Sequence, residues 1–150
     1  MITERLSQSP DETLAIGETI GSQLKGHEVI LLIGELGVGK TLLTKGIARA
    51  LGIDPDEVVS PSFTLVNEFK GRNGWRLIHV DLYRLGPSTS SHLPEIDDYL
   101  GEAIIIIEWA QYLPPAYFQL TDSITITFHL KPGDESQRIL TIEAASLASV

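Results

Sequence analysis

EVILLIGELGVGKTLLTKGIARALG, residues 28–52, decides how the rest of the chain is read. Its opening EVILLIG is the kind of apolar run that forms a buried strand. Its second half predicts a helix from about Lys40 to Leu51, closed by Gly52. Between the two, Gly34, Gly39, Lys40 and Thr41 satisfy G-x4-G-K-[ST], in the strand–loop–helix setting that a phosphate-binding loop requires. The residue types follow from the chemistry. Glycines let backbone amides converge on phosphate oxygens, and the helix N-terminus adds partial positive charge. Lys40 brings a full charge to the β and γ groups, and the Thr41 hydroxyl is placed for Mg²⁺.

Composition limits what the loop can serve. At 150 residues the chain is expected to be one domain, 1–150, able to fold without disulfides or metal clips. With 43% hydrophobic and 21% charged residues it has the make-up of a globular protein with a core. Eleven Lys and Arg stand against 20 Asp and Glu, a net charge of −9, which disfavours direct binding to nucleic acid or to acidic membrane. A protein partner is the better expectation. The absence of cysteine excludes disulfides, thiolate zinc sites and cysteine nucleophiles. The start, MITERLSQSPDET, lacks the apolar stretch of a signal peptide, and no window is apolar enough to span a bilayer, so a cytoplasmic location is expected.

Outward from the loop, SPDE at 9–12 predicts a helix capped by Ser9 with Glu12 reaching back. Leu14, Ile20 and Leu24 are expected on one face and Gly26 at its stop. TLVNEF and WRLIHVDLY, joined by KGRNG, read as a hairpin. GPSTSSH reads as a flexible stretch, LPEIDDYLG as a short helix ended by Gly101, and AIIIIEWA as a central strand covered on both faces. SITITFHL and RILTIEA around KPGDESQ form a second antiparallel hairpin, with residues 145–150 as a frayed tail. The fold class is therefore α/β: a P-loop NTPase-type mixed sheet with helices on both faces and antiparallel hairpins.

A phosphate loop also needs a carboxylate at the tip of a neighbouring strand. Glu108 closes IIIIE and Asp81 closes RLIHVD. Glu108 is read as the acid nearest the metal and Asp81 as the water-orienting or outer acid; the exchanged roles are the alternative. Lys40, Asp81 and Glu108 form the catalytic set. Arg84 is a candidate to approach the γ-phosphate or to pair with an acid, and His79 is either a proton donor or a structural histidine. Trp109 reads as either interface anchor or core, and Ser62 or Thr64 as a possible γ-phosphate sensor in SPSFT.

GELGVGKTLLTKGIARALG, SPSFTLVNEF, HVDLYRL, DDYL and IIEWA, in that order and spacing, resemble the small bacterial ATPase family of tRNA threonylcarbamoyladenosine biosynthesis called TsaE, earlier YjeE. The resemblance implies an ATP-binding protein of weak ATPase activity. It would join the TsaD and TsaB proteins, whose complex transfers threonylcarbamoyl to the adenosine beside the anticodon, and reset that complex between turnovers. Contact with tRNA would be indirect. By position, the resemblance assigns nucleotide binding to Gly34, Glu35, Leu36, Gly37, Val38, Gly39, Lys40, Thr41 and the early Thr13. It places magnesium on Thr41 and Glu108, the essential acid at Asp81 and the motif tryptophan at Trp109. The chain departs from the family pattern at Ile96, where a glycine commonly precedes the acidic pair, and at Ser62, where Thr is frequent.

Two other readings share the loop. A small-molecule kinase would need a lid with clustered arginines, whereas the six here are scattered. A nucleotide-dependent adaptor would use every residue named, with hydrolysis incidental. No guanine-reading N/TKxD segment is present, which favours adenine.

Overall fold

The computed structural model describes residues 2–35, 39–58, 66–86 and 94–144. The expectations for Leu36, Gly37, Val38, Ser62, Thr64, most of the GPSTSSH stretch and the 145–150 tail lie outside these.

The helix predicted at SPDE forms as α1, Pro10–Ser22. The Ser9 hydroxyl accepts the Glu12 amide at 3.1 Å, which satisfies one free donor of the first turn, and the Glu12 carboxylate reaches back to accept the amide of Gln8, just before the cap. α1 ends earlier than expected. Gln23 is the cap, and Gly26, at φ +112°, belongs instead to the connection into the next strand. There the carboxylate of the buried Glu28 accepts hydrogen bonds from the backbone amides of Lys25, Gly26 and His27, which fixes the turn. Ile20 and Leu24 are buried as expected, but Ile16 takes the core place assigned to Leu14, which is half-buried.

The buried run forms β2, Val29–Ile33, and the loop leads into α2, Lys40–Ala50. The first hairpin is β3, Val66–Lys70, and β4, Arg76–Asp81, in antiparallel register. α3, Pro94–Asp97, precedes β5, Ile104–Glu108, every residue of which is buried. The second hairpin is β6, Ser123–Lys131, and β7, Asp134–Ala144. Its turn is tighter than KPGDESQ implies, because β7 already starts at Asp134. A strand missed in the sequence reading, β1 at Ile2–Ser7, pairs antiparallel with β7 at the sheet edge.

The seven strands form one mixed sheet in the order β1-β7-β6-β2-β5-β4-β3. β6, β2, β5 and β4 are mutually parallel, and the hairpins add antiparallel strands outside them. Both faces are covered. On one, α1 and α2 pack over Ile30, Leu32, Ile104, Ile106 and Ile126. On the other, Ile96 of α3 and the short 3-10 turns Ala110–Tyr112 and Pro115–Gln119 cover Leu31, Ile78, Ile105 and Ile107. Ile96, the departure from the family pattern, is thus a core residue with 1% exposure.

α1 crosses α2 at glycines. A Cβ on Gly17 would overlap the Leu43 carbonyl oxygen and stand 3.0 Å from the Gly46 Cα; one on Gly46 would overlap the Leu14 carbonyl oxygen. The backbones are in contact, and there is no flexible side chain to give way. Replacing a free-standing helical glycine with alanine stabilises a protein by up to about 1 kcal/mol. At this crossing the sign reverses: Gly46→Ala is expected to lower stability by roughly 1–3 kcal/mol, read from urea midpoints.

Candidate nucleotide site

β2, β5 and β4 end together beside the loop, at the edge where α/β sheets gather their ligands. Gly39 caps α2 with φ +109°, a left-handed conformation natural only to glycine, and this turns the chain from loop into helix. Lys40 and Thr41 therefore leave the first turn of α2 towards the tips of β5 and β4.

Asp81 and Glu108 are register partners across β4 and β5, so the structure brings both predicted acids to the loop. They differ in setting. Glu108 is 2% exposed, and its two oxygens accept the Thr41 hydroxyl at 3.0 and 3.2 Å. Its Oε2 also lies 2.6 Å from Nε2 of His79, a fully buried residue. Asp81 is only half-buried, and its Oδ1 accepts the Tyr83 amide at 2.9 Å. Burial pushes the Asp81 carboxyl above its ordinary value; the Tyr83 amide opposes this, and the charge on Glu108 adds to it. Of the two acids, it is Glu108 whose carboxylate meets the Thr41 hydroxyl.

Lys40 is 4% exposed. Its ammonium donates to the Gly34 carbonyl and lies 3.5 Å from the ring centroid of Trp109. Burial pulls its pKa down, while Glu108, Asp81 and Glu35 pull it up. Trp109 takes left-handed backbone angles, φ 60° and ψ 40°, directly after β5, and this turn swings its ring under Lys40. With 6% exposure it is packed in the core of the second face, stacked on Tyr112 at 5.6 Å and tilted against Tyr83 at 4.8 Å. It is thus a core residue that also meets Lys40. Arg84 lies exposed in the turn after β4.

Thr13 is buried, and its hydroxyl is 2.6 Å from that of Ser7, the last residue of β1. A cleft of about 140 Å³ beside it is lined by Ser7, Thr13, Gly39, Leu42, Ser136 and Arg138. Thr13 therefore adjoins Gly39 of the loop. Ser7, Ser136 and Arg138 were missed, because they arrive from β1 and β7 by strand pairing that no local motif announces.

The donor set suits magnesium: a hydroxyl and a carboxylate, both hard oxygen ligands, face each other where loop-bound phosphates would arrive. Among the described residues no group of three or more His, Asp or Glu could hold a metal unaided. No helix among the described residues is long and apolar enough to cross a membrane.

The model of the family described as "Threonylcarbamoyl adenosine biosynthesis protein TsaE" matches residues 7–140. The chain belongs to the TsaE family. It is 41% identical over 114 residues to the tRNA threonylcarbamoyladenosine biosynthesis protein TsaE of Aquifex aeolicus, covering 74% of this chain and 79% of that one. To the protein of the same name from Nostoc it is 38% identical, covering 85% and 77%. The crystal structure of Bacillus subtilis YdiB superposes with a TM-score of 0.71 at 29% identity, over 96% of this chain and 86% of that one. Membership of TsaE accounts for the mixed sheet and for the order of the sequence motifs.

The raised Asp81 carboxyl gives a testable sign. Its ionised form costs folding free energy above its raised native pKa, and the cost vanishes below the unfolded value of 3.8, where both states are protonated. Asp81→Asn keeps an acceptor for the Tyr83 amide, so it should raise the thermal midpoint of the nucleotide-free protein at neutral pH. The gain should shrink as the pH falls towards 3.8.

Proposed function

We propose that this chain binds and hydrolyses Mg-ATP in order to reset a TsaD–TsaB complex that transfers threonylcarbamoyl to tRNA. The observation that carries the reading is Thr41, at the head of the loop helix, hydrogen-bonded at 3.0 Å to a buried strand-tip carboxylate, Glu108. Lys40 stands beside it. Phosphate loop, hydroxyl and acid are the parts that phosphoryl transfer from a nucleoside triphosphate uses.

In this mechanism Lys40 exchanges the Gly34 carbonyl and the face of Trp109 for the β and γ phosphates. Thr41 and Glu108 are the residues that would hold Mg²⁺, which when bound neutralises charge on the transferring phosphoryl group. Asp81, with a carboxyl raised by burial, is suited to orienting the attacking water and taking its proton. Thr13 and the cleft next to Gly39 offer room for the nucleoside. A net charge of −9 supports indirect contact with tRNA through the partner proteins, in the cytoplasm.

The test is phosphate release from Mg-ATP by the protein alone and with purified bacterial TsaD and TsaB. Slow release alone and clear stimulation by the pair are expected. Lys40→Ala and Glu108→Ala should each lower the stimulated rate roughly 100-fold or more, Glu108→Ala while still binding ATP. A Glu108→Ala protein that still supports tRNA modification would convert the reading to an adaptor. Phosphate found on a small acceptor instead of free in solution would convert it to a kinase.

A further inference from the structure

His79 is not used by the mechanism above, yet it is a fully buried polar group at the site. It lies in β4 two residues before Asp81, and strand alternation sends both side chains to the α2 face of the sheet, with Leu77 below them. Its backbone register partner is Ile106, so its ring reaches along the adjacent strand to Glu108, two residues further on.

The two ring nitrogens have different surroundings. Nε2 is 2.6 Å from Oε2 of Glu108, whereas Nδ1 is buried with no hydrogen-bond partner among the described residues. An Nδ1–H tautomer would set a lone pair against a carboxylate oxygen and leave a buried N–H with no acceptor. Both penalties vanish when the proton is on Nε2, and a partnerless acceptor is the milder residue of the choice.

The hydroxyl of Thr41 does not distinguish the oxygens of Glu108, lying 3.0 Å from one and 3.2 Å from the other. The terminal carboxylate torsion is soft and two-fold, so Thr41 alone leaves the plane of the group undetermined. His79 breaks that symmetry.

We propose that His79 is a positioning residue for Glu108: its Nε2–H pins Oε2 and leaves Oε1 presented, beside the Thr41 hydroxyl, to the cation of the bound nucleotide. This rests on the Mg-ATP reading given above, and it adds the residue that sets the orientation of the carboxylate. Groups that orient metal-binding side chains act on metal affinity without touching the metal.

The first test reads the tautomer directly. A long-range ¹H–¹⁵N spectrum of the nucleotide-free protein, with His79 assigned by its loss in His79→Gln, should show a protonated Nε2 and a bare Nδ1; the reverse tautomer overturns the proposal. The second uses mant-ADP fluorescence titrated with Mg²⁺ on wild type, His79→Gln, which retains an N–H donor at similar reach, and His79→Met, which fills the space without one. His79→Met is expected to need about 10–100-fold more Mg²⁺ for the half-effect, with metal-free mant-ADP affinity within about twofold of wild type and His79→Gln close to wild type. A folded His79→Met protein with unchanged Mg²⁺ dependence overturns the proposal, as does equal impairment in both variants, which marks a packing role. If His79→Met does not fold, the tautomer together with the His79→Gln titration decides. A wild-type protein that binds mant-ADP with no response to Mg²⁺ would sink the Mg-ATP reading and the cation role together, while the spectrum would still report on the His79–Glu108 bond.

Discussion

A carboxylate buried at the end of an entirely apolar strand is the constraint around which this site is organised. Ile104 to Ile107 bury β5 on both faces, and Glu108 follows with 2% exposure. An ionised group placed there must find hydrogen bonds or be driven neutral. Its oxygens accept the Thr41 hydroxyl of α2, and Oε2 lies 2.6 Å from Nε2 of His79 on β4, so one side chain ties the loop helix and two strands together. Removing one partner would leave part of a buried charge uncompensated, which costs more than the bond itself contributes.

The glycine crossing of α1 and α2 does the corresponding work on the other side of the loop. Because Gly17 and Gly46 allow backbone contact, the N-terminal turn of α1 reaches the loop, and the methyl of Thr13 comes within 3.6 Å of the place a Cβ on Gly39 would occupy. β1 then leads into that turn through Ser7, whose hydroxyl meets Thr13. A strand at the sheet edge thereby contributes to a cleft at the phosphate loop.

These groups are not optimised for stability. Burial disfavours the charge of Lys40, while Glu108, Asp81 and Glu35 favour it; Asp81 has its ionised form disfavoured by burial and by Glu108. Such tension between charge and burial is usual where a protein keeps groups for reaction at the expense of folding free energy. The aromatic tier of Tyr83, Trp109 and Tyr112 beside Lys40 gives that cation an apolar wall that does not compete for its charge.

Local pattern was sufficient for much of this protein. The GELGVGKT loop, the cap at Ser9, both hairpins, the buried strand ending in Glu108 and the pair of acids were all legible, because each depends on residues close in sequence or on simple periodicity. The period of two even places His79 on the same face as Asp81, although nothing in the sequence says that its ring meets a carboxylate 29 positions away. What needed tertiary structure was whatever depends on strand order and helix crossing. β1 gained its strand character only by pairing with β7, and Ser136 and Arg138 came to the loop through that same pairing. The end of α1 was set by the amides gathered on Glu28 instead of by Gly26. Chain-local propensities set the elements, whereas the contacts among Lys40, Trp109, Thr41, His79 and Glu108 follow from long-range packing, which no short stretch of sequence encodes.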